Sequence, residues 1–335
     1  PPSERGRAIG ITVAAVYMGL SAGPFAADYL ANLWGWRSLF GVTFPLGLVS
    51  IYLAVTMIKD EWRVARGQPL DLVGVLFYGC CLILLMIGLS HMPGAWGAIA
   101  LTGAAACFYA FVRQEIRTPY PVVEIGLFQH NRGFSFSSLA ALINYAATFA
   151  VAFYLSLYLQ YIKSMPPQRA GLILITQPVV MALFSPLAGR FSDRFEPASI
   201  ASLGMVLCAC GLLLLSRLNG ATNIPYIVAT LLLLGLGFAL FSSPNMNAIM
   251  SSVAPAHYGL ASGTVATMRL IGQMLSMAIA TLLFAVLIGG KQITPETYPA
   301  FLRTVRLGFA VCCGLCLIGT YFSWNRGAIR NSTNP

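Results

Sequence analysis

The sequence predicts an all-α fold, a polytopic membrane helical bundle of about ten transmembrane helices, and three observations carry the prediction. Hydrophobic residue types make up 58% of the 335 residues and charged types only 9%, with a mean hydropathy of +0.77. Soluble domains carry about 25% charged residues, so there is too little charge here to cover a water-facing surface. Ten apolar runs separate along the chain, each close to the ~20 residues that one bilayer crossing needs. The runs are continuous rather than alternating, as in Leu82-Ile83-Leu84-Leu85-Met86-Ile87. A membrane barrel would alternate over about ten positions. Backbone groups in hydrocarbon must be satisfied within the segment, so the runs are helices.

In order, the runs lie near 8–30, 38–58, 71–90, 94–112, 134–161, 170–190, 198–217, 224–249, 259–288 and 303–324. The breaks between them carry turn chemistry: Trp34-Gly35-Trp36, Met92-Pro93-Gly94, Met165-Pro166-Pro167 and Asn219-Gly220. The pair at 71–112, joined by the short His91-Met92-Pro93 turn, reads as a tight, lipid-facing or peripheral hairpin with Asp71 at its entrance. The longest polar stretch, 113–133, is too short for a domain and reads as a connector. The chain opens on Pro1 rather than Met, so residue 1 is not expected to be the biological start.

Twenty Lys and Arg against ten Asp and Glu give +10. They are scattered in small groups between apolar runs, which is the positive-inside pattern and not a nucleic-acid stripe. Loops on the side of the N-terminus hold twelve of them, the opposite loops seven, and Arg269 lies within a span. The first side is therefore expected to be cytoplasmic, with both termini of this chain on it, in a multi-pass protein of the plasma membrane. The eight cysteines fall inside apolar runs, and Cys313-Gly-Leu-Cys316 has no His or acid beside it, so buried thiols are expected rather than a metal or redox site. The three histidines sit on separate loops. No catalytic residue, cofactor or metal is expected, and the chain does not read as an enzyme.

Polarity inside the membrane marks candidate sites, because a charge there costs several kcal/mol and faces a cavity or a partner. Arg269 stands roughly 15 Å into its run by helical rise, with Gln273 one turn on along the same face. It is either a cavity-lining cation that meets an anionic substrate group or a titrating carboxylate, or a structural Arg bonded to carbonyls at a helix break. Asp28 near the outer end of the first run is either a proton carrier or a solvated interfacial acid. Asn144, Gln160, Gln177, Asn245, Asn247 and Gln273 either line a wet cavity or join helices to one another. Asn144, Gln177, Arg269 and Gln273 are the residues expected to face a cavity. Gln177-Pro178 and Ser243-Pro244-Asn245 place prolines within spans, where they bend helices.

The first run holds Gly19-x-x-x-Gly23-Pro24, followed by Gly35-Trp36-Arg37-Ser38-Leu39-Phe40 and Pro45-Leu46-Gly47. This series resembles the fifth helix and its sequel in the major facilitator superfamily, and more narrowly the fourteen-helix drug/proton antiporter subgroup. Gly189-Arg190-Phe191-Ser192-Asp193-Arg194-Phe195 is similar to the family's short cytoplasmic loop in its C-terminal-half copy. Gly259-Leu260-Ala261-Ser262-Gly263 leading to Met268-Arg269-Leu270-Ile271-Gly272-Gln273 is a third match. Two departures stand out: Ala27-Asp28 where the antiporter motif ends in two small residues, and Glu196 where the loop usually has Gly.

The resemblance implies a division of the chain. Residues 1–60 would be the last two helices of an N-terminal bundle, and 61–112 a linker plus an extra hairpin. Residues 113–133 would be a cytoplasmic connector, 134–326 a six-helix C-terminal bundle, and 327–335 a cytoplasmic tail. It also implies four N-terminal helices that this chain lacks and that would be its partners. The implied function is proton-coupled efflux of hydrophobic or amphipathic small molecules by alternating access, with lipid, substrate and protons as the other partners and no nucleic acid. Gly19, Gly23 and Pro24 would set packing near the outer gate, and Gly189, Asp193 and Arg194 would form a cytoplasmic gating loop, against the alternative of a solvated Asp-Arg turn. The competing readings are an incomplete, non-transporting membrane fragment and a proton-channelling subunit of a membrane complex. The latter would carry several Lys, Glu or His residues along mid-membrane.

Overall fold

The computed structural model describes residues 4–57, 71–121, 123, 125–289 and 293–327, and of Pro24, Phe25, Asp28 and Asn32 the backbone only. The expected linker at 61–70 and the tail from 328 onward lie outside the described residues, as does the side chain of Asp28. The helices are α1 (Arg5–Trp34), α2 (Ser38–Met57), α3 (Leu72–Ser90), α4 (Ala95–Arg117), α5 (Ile125–His130), α6 (Arg132–Thr148), α7 (Val151–Leu157), α8 (Pro167–Leu174), α9 (Thr176–Arg194), α10 (Pro197–Leu215), α11 (Ile224–Ser251), α12 (Tyr258–Leu287) and α13 (Tyr298–Trp324). Among the described residues, nine segments are long and apolar enough to cross a membrane, counting α6 through Ile162 and α8–α9 as one span each. The 30-residue α1 stands beside these nine.

Helix ends and breaks follow local chemistry. α1 stops at Gly35, whose φ of 77° is open to glycine at low cost. Asp71 caps α3 by accepting the Gly74 amide at 2.9 Å, and that bond holds its carboxyl below the usual range. Asn131 caps α6 through the Phe134 amide at 2.9 Å. Pro178 ends α8: its ring would meet the carbonyl of Leu174 and it has no N–H, so the helix breaks and restarts at Thr176. The run at 134–161 is likewise interrupted at Phe149–Ala150, and the freed Ala150 amide donates to Ser276 of α12 at 3.0 Å.

The most enclosed span is Arg132–Ile162, 67% of which is buried, whereas none of Ser38–Met57 is. Around it lie α9, α10, α11, α12 and α13, and Tyr154, Tyr158, Met205, Leu212, Phe301 and Phe309 form the centre of the core. The thiols of Cys313 and Cys316 on α13 donate to the Ala209 and Met205 carbonyls of α10, at 3.4 and 3.3 Å. α3 and α4 pack on each other and reach the rest through Tyr78 of α3, hydrogen-bonded to Thr267 of α12. The stretch expected to be a connector is partly helical. Its first residues extend α4 to Arg117, and α5 packs Phe128 against Phe134 at 4.9 Å.

α1 lies along α9 and touches α11. With lipid as solvent, helix association depends on close van der Waals fit and not on apolar burial, and two glycines provide it. A side chain at Gly6 would overlap the Gly189 carbonyl and Ser192, and one at Gly189 would overlap the Gly6 carbonyl. Gly6→Ala should therefore lift the start of α1 from α9 and cost about 1–3 kcal/mol. A lowered thermal midpoint in purified protein, with α-helix content unchanged by circular dichroism, checks this; an unchanged midpoint would remove the packing argument.

Candidate functional site

A cavity of about 630 Å³ lies between α1, α6, α11 and α12. Its wall includes Thr12 and Tyr17 of α1, Tyr145 of α6, Phe241, Ser242 and Asn245 of α11, and Arg269 and Gln273 of α12. Phe238 stands edge-on to Tyr17 at 6.0 Å and to Tyr145 at 5.5 Å, which sets the pitch of both rings. The Arg269 guanidinium lies 5.6 Å from the centre of the Tyr145 ring. α12 runs unbroken past it, and no carbonyl among the described residues accepts a hydrogen bond from it. A cation–π contact contributes about 0.5–2 kcal/mol, less than the several kcal/mol that a charge at this depth costs. Arg269 is the one charged residue among the described residues of the wall. Gln273 also borders a second crevice, lined by Met86 of α3 with Met274 and Met277 of α12.

The other expected cavity residues are placed elsewhere. Asn144 is fully buried and sits beside Cys208 of α10, because its position on α6 points away from α12. Gln177 is half-buried where α9 restarts, with its carbonyl against Gly235 of α11. Gln160 bonds Ser156 within its own span at 2.9 Å. No atom lies within 4 Å of where a side chain at Gly19 or Gly23 would stand, and both are exposed, so among the described residues no helix packs on this motif. The side chain of Pro24 is outside the described residues.

Below the cavity, the start of α1 is held by side chains from three other helices. The Asp193 carboxylate at the end of α9 accepts the backbone amides of Gly6 at 2.7 Å and Arg7 at 2.9 Å. Glu4 does not cap α1 with its own side chain, so these otherwise orphaned donors are capped in trans, where the helix dipole favours a negative charge. Arg5 donates to Tyr258 at 2.6 Å and Ser251 at 3.3 Å, tying α1 to α12 and α11. Arg194 and Arg190 border a surface hollow with Arg7 and Glu4.

One buried residue escaped the sequence reading. Arg326, two residues beyond α13, entered it only as a loop charge, yet it is 2% exposed. It donates to Asn245 at 2.6 Å, to Ser137 at 3.0 Å, and to Ser323 and the Ala198 carbonyl at 3.2 Å. Asn245 in turn donates to the Ser137 carbonyl at 3.1 Å. Burial pushes the Arg326 guanidinium down to about 9, against the pull of Glu196, so it stays charged at neutral pH. Asn247 donates to Ser192 at 3.0 Å. Both amides of α11 are therefore engaged in joining helices, although Asn245 also borders the cavity. Among the described residues, no group of three His, Cys, Asp or Glu side chains could hold a metal ion.

The family model described as Major Facilitator Superfamily matches residues 137–330. The chain belongs to the major facilitator superfamily. Relatives in this superfamily include the riboflavin transporter RibZ of Clostridioides difficile (strain 630), 25% identical over 95% of this chain and 70% of that protein. The multidrug resistance protein B homolog of Mycobacterium tuberculosis is 27% identical over 86% of this chain and 54% of its own length. The tetracenomycin C resistance and export protein of Streptomyces glaucescens is 25% identical, with the same two coverages. The chain thus spans 54–70% of the length of these relatives. Superfamily membership and relatives alike are those of a transporter and not of an enzyme.

Removing Arg326 leaves Asn245 and Ser137 without their buried charged partner, at a cost of about 2–3 kcal/mol. Arg326→Ala should lower the thermal midpoint more than Arg326→Lys, which keeps a charge but loses the forked geometry. Equal midpoints for the wild type and both variants would sink the idea that Arg326 clamps this end of the bundle.

Proposed function

We propose that the protein is a secondary active exporter of hydrophobic or amphipathic small molecules, driven by inward proton flow and working by alternating access. In this reading it belongs to the fourteen-helix drug/proton antiporter subgroup and lies in the plasma membrane with both termini of this chain cytoplasmic. Residues 1–60 are then the end of an N-terminal bundle whose first four helices are its partners. Residues 61–112 are the linker and inserted hairpin, 113–133 the connector, 134–326 the C-terminal bundle and 327–335 the tail.

The observation that carries the proposal is the trans cap on α1. Asp193 bonds the amides of Gly6 and Arg7 from the far end of α9, and Arg5 bonds α11 and α12, all on one face below the cavity. These bonds join a helix of one proposed bundle to helices of the other. They exist only while that face is closed, so their release is a discrete switch between two packings. Gly189 and Asp193 serve this closure directly, and Arg194 adds a cation at the same face. Arg269 and Gln273 meet the substrate from α12. Two relatives are named for multidrug resistance and for export, which supports the outward direction. Proton coupling rests on the Gly19-x-x-x-Gly23-Pro24 resemblance. The relative named as a riboflavin transporter favours planar aromatic cargo over a strictly drug-like range.

Vesicles bearing the full-length protein and an imposed pH gradient test this. Export of an aromatic dye should follow the gradient and stop when an ionophore collapses it. Arg269→Ala should lower the rate at least tenfold. Asp193→Asn, which keeps an acceptor but loses the charge, should lower it severalfold with the protein still folded. Dye movement indifferent to the gradient would refute proton coupling, and an unchanged rate in Arg269→Ala would remove that residue from the pathway.

A further inference from the structure

We propose that the cavity selects amphipathic organic anions, with a carboxylate or sulfonate paired to Arg269 and a planar aromatic or apolar body lying against Tyr17, Tyr145 and Phe241. The inference rests on the transporter reading above and names the class of its cargo.

Charge is the first argument. The wall carries one charged residue among those described, and it is a cation. Among the described residues, no Asp or Glu stands in that wall beside it. A cationic ligand in this space would face an uncompensated like charge across a few ångströms of low-dielectric surroundings. An anion there would supply a pairing that no described residue of the wall provides.

Geometry is the second argument. The central carbon of the guanidinium lies 5.6 Å over the centre of the Tyr145 ring. No described residue takes a hydrogen bond from its N–H fork. A planar fork of this kind matches two oxygens of a carboxylate or sulfonate at once, which an ammonium does not. Gln273, one turn along α12, adds an amide to the same wall.

Shape is the third. Phe238 holds Tyr17 and Tyr145 from behind at steep interplanar angles of 88° and 66°, so two fixed ring surfaces border the space next to the cation. A volume of about 630 Å³ suits a drug-sized molecule. The combination of one cation, fixed rings and an otherwise mostly apolar wall describes a small aromatic acid.

Equilibrium binding in phosphatidylcholine nanodiscs, corrected with protein-free discs, tests the assignment with three probes of one body: pyrene-1-sulfonate, neutral pyrene-1-methanol and pyrenylmethyl-trimethylammonium. The wild type should bind the sulfonate at least tenfold more tightly than the ammonium, with the alcohol between them. Arg269→Gln should bring the three within about twofold while leaving the alcohol unchanged. Arg269→Lys should keep the order with a sulfonate preference reduced severalfold. Equal or tighter binding of the ammonium by the wild type overturns the proposal whatever the variants do, as does an undiminished sulfonate preference in a folded Arg269→Gln. No gradient is applied, so sulfonate preference in a protein that fails to transport would refute the exporter reading and leave the anion site standing.

Discussion

A hydrocarbon solvent gives backbone N–H and C=O groups no water to turn to, and this constraint explains where polar side chains are found in the chain. Where the span after α6 breaks, Ser276 arrives from α12 to accept the Ala150 amide. Where α1 begins without a cap of its own, Asp193 arrives from α9. Arg326 fastens the bundle differently, sharing the Ala198 carbonyl of α10 with Ser202 and gathering Ser137, Asn245 and Ser323 around itself. In the first two of these contacts, satisfying the backbone and fastening the bundle are the same event.

The fastenings differ in how readily they can be undone. The Arg326 cluster is buried and made wholly within α6, α10, α11 and the end of α13, and it gives that group of helices a rigid end. The α1 cap is partly exposed and depends on a glycine-to-glycine approach that places two backbones in contact. In the proposed alternating-access cycle, a cap supplied by another helix would make a good latch, because the donors it leaves behind can be taken up by water once the face opens. The cavity lies between the two, with α1 on the trans-capped side and α6 and α11 on the side of the Arg326 cluster.

Within the cavity, the position of Arg269 is set by α12 staying helical where a broken helix would have offered carbonyls. The guanidinium is left with the Tyr145 ring and open space. A cation–π contact is a partial compensation, and under the proposed function a ligand would complete it.

Composition, run length and the absence of alternation were enough to determine an all-α membrane bundle, because the bilayer imposes helix length and backbone pairing on any chain that crosses it. The apolar runs agree with the helices to within a few residues at most ends, and the face that Arg269 shares with Gln273 followed from helical period alone. Tertiary structure decided which polar residues meet. Asn144 and Gln177 look as cavity-like in sequence as Gln273, yet the rotation of α6 turns Asn144 toward α10, and Gln177 stands where α9 restarts, outside the cavity wall. Gly19 and Gly23 carry a packing signature, but no described helix stands against them. Arg326 reads as one more loop cation and is instead the buried centre of four groups drawn from four helices. Spacing along one helix is written in the chain, whereas the rotation of one helix against another comes from the packing of all of them together. That packing is what places a cation, two tyrosines and an amide around one cavity.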